Sequence, residues 1–285
     1  MSNDVLVIAG QAIRESLRRR VFAVVVALTI AFGGLYAWGA DELFEDVSGF
    51  AGNDVGLDAR TLAGATLLGL SMFGTLFLGA VLAVFLTLGA VRGDAETGLL
   101  QPLIVRPLGR RQYLLGRLLA AGVVAAVYVA LVYAGAVVVT GAIGGWWPAH
   151  PVGSGLRLAA AVVVVAAISL LGSVFLASIA NGIAVLMVFG AGLLAGLLGS
   201  IGDALSSHTL QTIANTASWV LPFEALYRDA LRLLVQDIPG VTGAIVQLGP
   251  LGGSHDAGPL LLPWFVAYLV LVGGLAALGF GRRDL

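Results

Sequence analysis

A chain of 285 residues with only 11% charged and 59% hydrophobic side chains, and a mean hydropathy of +1.00, cannot present a water-facing surface all round. Soluble domains carry about 25% charged residues, so lipid must solvate much of this chain, and at about 20 residues per crossing its length allows several spans and little else. The formal net charge of −1 gives no sign of a nucleic-acid partner, the absence of Cys excludes disulfides, thiolate nucleophiles and Cys-based metal sites, and with every basic residue an Arg there is no Lys for a Walker A phosphate loop.

In chain order, residues 4–20 place Leu6, Ala9, Ile13 and Leu17 at helical spacing, with Arg14, Glu15 and Arg18 elsewhere. This predicts an amphipathic helix lying on the cytoplasmic surface. Arg18, Arg19 and Arg20 then precede an apolar run that could be read as a secretory signal. The run is as long as a span and four more apolar stretches follow, so a retained anchor over 21–38 is expected. Asp41, Glu42, Glu45, Asp46, Asp54 and Asp58 crowd the next connection, before a second span at 62–91 in which Gly64, Gly69, Gly74 and Gly79 recur. A cytoplasmic connection, 93–112, leads to the third span at 115–141.

The uncharged stretch Leu158–Gly202 is too long for one helix. Ala180-Asn181-Gly182 joins a polar residue to a Gly and is the expected break, giving spans at 157–179 and 183–202. Gly192 and Gly196, followed by Ser200, allow close helix packing, within one subunit or across a dimer. A segment outside the membrane, 204–258, comes next. Within it Pro222 suits a first helical turn, and Phe223, Leu226, Ala230, Leu233 and Leu234 share one face, which predicts an amphipathic helix over 222–236. Glu224–Arg228 is a favourable pair on it and Arg228–Arg232 a mildly repulsive one. The Gly- and Pro-rich 237–258 reads as loop, and the sixth span as 260–280.

Arginine distribution orients these spans. With both termini in the cytoplasm, Arg14, Arg18, Arg19, Arg20, Arg92, Arg106, Arg110, Arg111, Arg117, Arg282 and Arg283 lie inside. Only Arg60, Arg157, Arg228 and Arg232 fall outside. The expected fold class is all-α: a polytopic membrane protein of six transmembrane helices forming a single permease domain over 1–285, multi-pass in the cell membrane.

The spans hold no Asp, Glu, Arg or His near their centres, which argues against proton relays and ion-coupled pumping. His150, His208 and His255 fall in outer loops or at span ends and read as surface histidines rather than metal ligands, and Met72 and Met187 are too far apart in sequence to suggest copper ligation. The informative segment is the connection from Arg92 to Arg117. Asp94 and Glu96 suit a helix start, Leu99, Leu100, Leu103 and Ile104 make an apolar face, and Pro107 and Gly109 end it, with Pro102 a kink or restart. Such a face wants either a partner groove or the chain's own spans.

This run resembles the coupling-helix region of ABC-2-type permeases, the membrane subunits of the type V, ABCG-like exporter fold. Glu96-Thr97-Gly98-Leu99-Leu100, Arg106-Pro107, Arg110 and Leu114-Leu115-Gly116-Arg117 occupy the pattern's positions, with Arg117 where Lys is common. Leu221-Pro222-Phe223-Glu224-Ala225-Leu226-Tyr227-Arg228 is similar to the Asn-Pro…Tyr-Arg stretch of the NosY-like, copper-enzyme maturation branch, with Leu221 in place of Asn. The resemblance implies that the segment around 97–106 is a coupling helix, with Glu96, Leu99, Leu100, Leu103, Ile104 and Arg106 facing a separate ATPase. It implies a second and fifth span lining a central pathway, with Thr66, Ser71, Phe73 and Thr75 as pathway residues.

The expected function is therefore the non-catalytic permease subunit of an ABC transporter. Two copies would join two ATPase subunits that hold the ATP and Mg, and export a hydrophobic or amphipathic substrate. This chain would carry no cofactor, catalytic residue or metal of its own. The alternatives are an ABC-type module for maturation of an extracytoplasmic metalloenzyme, a secondary transporter, and a membrane enzyme, the last two lacking the residues they need.

Overall fold

The computed structural model describes residues 10–12, 20–49, 58–88, 110–238, 242 and 258–281. The described chain is helical: α1 (Arg20–Gly49), α2 (Ala59–Thr87), α3 (Arg110–Gly144), α4 (Pro151–Phe175), α5 (Ser178–Ala204), α6 (His208–Val220), α7 (Pro222–Val235) and α8 (Leu261–Gly281). Six of these, α1 to α5 and α8, are long and apolar enough to cross a membrane. They alternate in direction. Gly64 near the start of α2 lies against Trp146 just past the end of α3, and Gly144 at the end of α3 lies against Phe44 on α1. At the opposite end Tyr113 and Leu114 of α3, Leu170 and Val174 of α4, and Ala276 and Phe280 of α8 form a common cluster.

Burial separates the spans into an inner and an outer set. Two thirds of the apolar window of α2 and of α4 is buried (67% each), against 11% for α1 and 17% for α8. The inner pair can be central because it is made of small and branched side chains that admit close neighbours. Gly79 of α2 leaves room for Val129 of α3 and Val162 of α4, and Gly74 for the Phe32 ring of α1. The polar groups buried here are neutral and mostly bonded. Thr87 donates to Ser169 at 2.7 Å, and Tyr36 pairs with Thr140. Hydroxyls satisfied this way carry little of the desolvation cost that a charge would bring.

Several element limits differ from those the sequence suggests. α1 runs to Gly49 rather than ending at residue 38, so Asp41, Glu42, Glu45 and Asp46 stand on a helical extension, not a loop. α2 begins earlier, at Ala59, because Asp58 caps it: its carboxylate accepts from the Thr61 amide at 3.2 Å and from the Thr61 hydroxyl. Those bonds, with the Thr61 hydroxyl first, hold the Asp58 carboxyl below the usual range. α4 starts at Pro151, a good first-turn residue, rather than at residue 157. Arg157 therefore stands two turns into the helix.

The break between α4 and α5 is at Leu176-Ala177, not at Ala180-Asn181-Gly182. Asn181 is fully buried within α5, and its side-chain amide donates to the Ser169 carbonyl of α4 at 2.9 Å. Gly172 has no Cβ because that volume is taken by the Asn181 carboxamide. The polar residue thus ties the two helices across the corner instead of interrupting one. Of the N-terminal amphipathic segment, residues 10–12 are described; they are helical, with Ala12 buried against Ala120 of α3.

Candidate functional site

The segment between α5 and α8 is more than a loop with one helix. α6 turns back along α5, the chain reverses at Leu221, and α7 returns. The contacts of the α5 glycines trace the descent: Gly202 faces Leu210 and Gln211, Gly199 faces Ala214 and Arg228, Gly196 faces Glu224, and Gly192 faces Phe223 and Leu221. From Gly202 to Gly192 the pair folds back about 15 Å along α5, at 1.5 Å per residue. It forms a helical hairpin laid back along α5, and neither of its helices is long enough to be a span. The Gly192/Gly196 spacing, open between intrachain and dimer packing from sequence alone, is occupied by α7 of the same chain.

Two observations explain why α7 folds this way. Pro222 sits at its first turn, and the predicted apolar face is real: Phe223, Leu226, Ala230 and Leu234 are buried, with Leu233 half-buried. That face packs on α4, with the Leu233 side chain against Gly153, and Phe223 stacks on Phe189 of α5 with ring centroids 5.4 Å apart. Ion pairs fix the register. Asp229 accepts from Arg157 of α4 and, at 3.0 Å, from Arg232, while His150 and Asp237 meet at 3.0 Å at the exposed rim. The like charges Arg228 and Arg232 are thereby separated, since Arg228 approaches Glu224 at 3.4 Å instead. Glu224 is almost fully buried, and burial pushes its carboxyl up to about 7, opposed by the Arg228 guanidinium.

A cavity of about 480 Å³ lies between the end of α5 and the hairpin. Asp203 and Gly199 of α5, His208, Gln211 and Asn215 of α6, and Arg228 of α7 contribute to its wall. Sequence reasoning picked out Arg228 and Glu224 as a pair but not this cavity. The polar string from His208 to Ser218 was the available signal, and it reads as loop composition until a helix is known to run through it.

The residues implied by the resemblance are placed as follows. Thr66 and Phe73 lie on an exposed stripe of α2 that continues through Leu70 and Phe77. Ser71 and Thr75 are fully buried on the inner side of the same helix; Ser71 donates to the Leu68 carbonyl at 2.8 Å, and the Thr75 hydroxyl has no partner among the described residues. The structure therefore does not bring these four together. Phe77 approaches Phe189 of α5 with ring centroids 6.5 Å apart, which sets the Phe77 end of the α2 stripe beside α5. Glu96, Leu99, Leu100, Leu103, Ile104 and Arg106 lie outside the described residues. Among the described residues no three metal-ligating side chains gather.

Six apolar helices in antiparallel order, joined by neutral packing and carrying a helical pair folded back at one end, define a multi-pass membrane transport subunit. The chain belongs to the ABC-2 family of transporter proteins, which it matches over residues 6–285. Permeases of this family pair with ATPase subunits and are typically non-catalytic. No curated protein matches the chain.

Proposed function

We propose that this ABC-2 transporter subunit is one half of a homodimeric exporter, moving a hydrophobic or amphipathic substrate outward on ATP hydrolysed in a separate subunit. The observation that carries this reading is the division of α2 into two faces. Gly64, Gly74 and Gly79 are filled by Trp146, Phe32, Val129 and Val162 of the same chain, so these small positions are used up within the protomer. The opposite stripe, Thr66, Leu70, Phe73 and Phe77, remains exposed, with its Phe77 end beside α5. Large aromatic side chains on such a face supply either a dimer contact or the wall of an apolar pathway.

In this reading the hairpin faces outward, both termini and the 93–112 connection are cytoplasmic, and the segment around 97–106 docks in an ATPase groove. ATP and Mg are held by that partner. Closure of the ATPase pair moves the docked segment as a rigid body, and the two permease halves rock between states that ATP stabilises unequally. The Leu221–Arg228 stretch that resembles the maturation branch is used here to seat the hairpin, and so favours no second reading.

The test is co-purification with the ATPase. Leu103→Asp places a charge at the centre of the apolar docking face, where losing an anchor costs about 2 kcal/mol or more. It is expected to abolish ATPase capture while the permease still inserts. Glu96→Ala, at the solvated rim, is expected to weaken capture only slightly. Unchanged capture by Leu103→Asp would remove this segment from the coupling role.

A further inference from the structure

The two ends of the hairpin differ in polarity. Asp203, Ser206, Ser207, His208 and Thr209 gather at its top, where α5 passes into α6, whereas the reversal from α6 to α7 at its apex reads Trp219-Val220-Leu221-Pro222. Trp219 and Val220 are 46% and 59% exposed there, and the nearest charged residue along α7, Glu224, is buried. About 16 Å of helix separates Thr209 from Val220.

The backbone at the apex is closed without water. The Ala217 carbonyl accepts from the Leu221 amide at 2.7 Å, and the Leu221 carbonyl from the Glu224 amide at 3.2 Å. Pro222 has no N–H to satisfy. The Trp219 carbonyl, at the end of α6, accepts from the Trp264 indole of α8 at 3.0 Å. Thr216 and Ser218 donate their hydroxyls to carbonyls of their own helix at 2.8 Å. Water would cap such a helix end by itself; lipid cannot.

Trp264 fixes the depth of this apex. Its ring stands edge-on to Trp219 and to Tyr268, with centroids 5.5 and 6.2 Å away. Only 17% of the apolar window of α8 is buried, and Leu262, Val266 and Val270 are exposed, so lipid covers this span up to the level of Trp264. From Trp264 to Gly281 the helix rises about 25 Å, close to the ~30 Å of hydrocarbon that a span must cross. Trp264 therefore stands where hydrocarbon gives way to ester carbonyls and head groups, the layer in which amphipathic rings collect. Trp219 shares that level through their contact. Its own indole N–H has no acceptor among the described residues, and ester carbonyls supply one.

We propose that Trp219 and Trp264, with Tyr268 beside them, form an aromatic anchor that seats the apex of the hairpin in the ester-carbonyl layer of the outer leaflet, while its top stays in water. The partner of this surface is lipid, continuous with the lipid already covering α8. The proposal rests on the exporter reading only for the choice of leaflet.

Because the chain has no Cys, single nitroxide labels report depth in phosphatidylcholine vesicles. They are placed by Val220→Cys at the apex, Thr209→Cys at the top and Val270→Cys on the lipid-facing side of α8, all at exposed positions. Collision with oxygen, which concentrates in lipid, is compared with collision with a water-soluble nickel chelate. The label at position 270 is expected to favour oxygen and that at 209 the chelate. At position 220 the oxygen-to-nickel ratio is expected to exceed that at 209 about three-fold or more. Trp219→Ala, at an exposed position, should lower the ratio at 220 about two-fold or more and leave that at 270 unchanged. Equal ratios at 220 and 209 would put the apex in water. Shielding of 220 from both reagents would put protein over it, such as a second copy. An unchanged ratio in Trp219→Ala would remove the ring from the anchor. Each of these results overturns the proposal. The ratio does not depend on which side of the vesicle the hairpin faces, and ATPase capture is measured on the same preparations. Capture with an apex in water defeats the anchor and leaves the permease reading standing, and an anchored apex without capture does the reverse.

Discussion

Glu224 and Asp229 stand less than two turns apart on one helix and are used in opposite ways. Asp229 accepts from two guanidinium groups and Glu224 from one at longer range, under nearly complete burial. Glu224 is thus a carboxyl whose pKa is raised on folding, to about 7 from the ordinary 4.5. The folded state binds its proton more tightly than the unfolded state, so the stability it contributes is full below about pH 4.5 and is lost as pH rises through 7. The protection factors of α6 and α7 amides, taken against the base-catalysed rise in intrinsic exchange, are expected to fall over that window in the wild type and to stay flat in Glu224→Gln. Asp58 runs the other way: its lowered carboxyl adds stability above the ordinary carboxylate range that is lost only in stronger acid, outside the Glu224 window. For Asp229, replacement by Ala leaves the partly buried Arg157 guanidinium without its carboxylate, and is expected to cost about 2–4 kcal/mol by denaturant melts in micelles. The double variant Asp229→Leu, Arg157→Leu should recover a large part of that loss, because it removes both members of the cross-helix pair.

Among the elements, the hydropathy of the chain made all six spans legible, since twenty apolar residues in a row have few other uses. Their ends were less legible, for physical reasons that differ from case to case. Asp41, Glu42, Glu45 and Asp46 interrupt the apolar run of α1 but not its helix, because a helix leaving the membrane keeps its backbone bonds in water. Asn181 has the composition of a break and serves as a tie, because its amide reaches the Ser169 carbonyl across the corner. α7 was readable from Pro222 and its apolar face. α6 was not, because His208-Thr209-Leu210-Gln211-Thr212 offers no stripe strong enough to outweigh loop composition. The depth of the hairpin depends on contacts with α5 that no local pattern reports. It has a direct test at Gly196, where a Cβ would occupy the place of the Glu224 carboxylate. Gly196→Ala is expected to unseat the hairpin and expose α6 and α7 to protease, and Gly33→Ala, where a Cβ meets nothing, to leave the digestion pattern unchanged.

For the whole molecule, the hairpin makes one end of the bundle distinct from the other, and the proposed orientation sets that end outside. Since the chain has no Cys, a single Gln236→Cys, at an exposed position beyond α7, reports it cleanly. A membrane-impermeant maleimide is expected to label it from outside intact cells and not from the cytoplasmic side of inverted vesicles; the opposite labelling would invert the topology. The pairing of Arg157 with Asp229 also has a meaning in time. The two residues are 72 positions apart, so α4 is synthesised with its arginine long before the carboxylate that will meet it. Standing two turns into α4, the arginine can stretch toward the near surface while it waits. Only when α7 emerges and folds back does the guanidinium acquire its permanent acceptor. Synthesis of α4 and its locking into the bundle are therefore separate events, and a nascent chain arrested before Asp229 would hold six-span topology only in part and lack the contact that locks α4 to the hairpin.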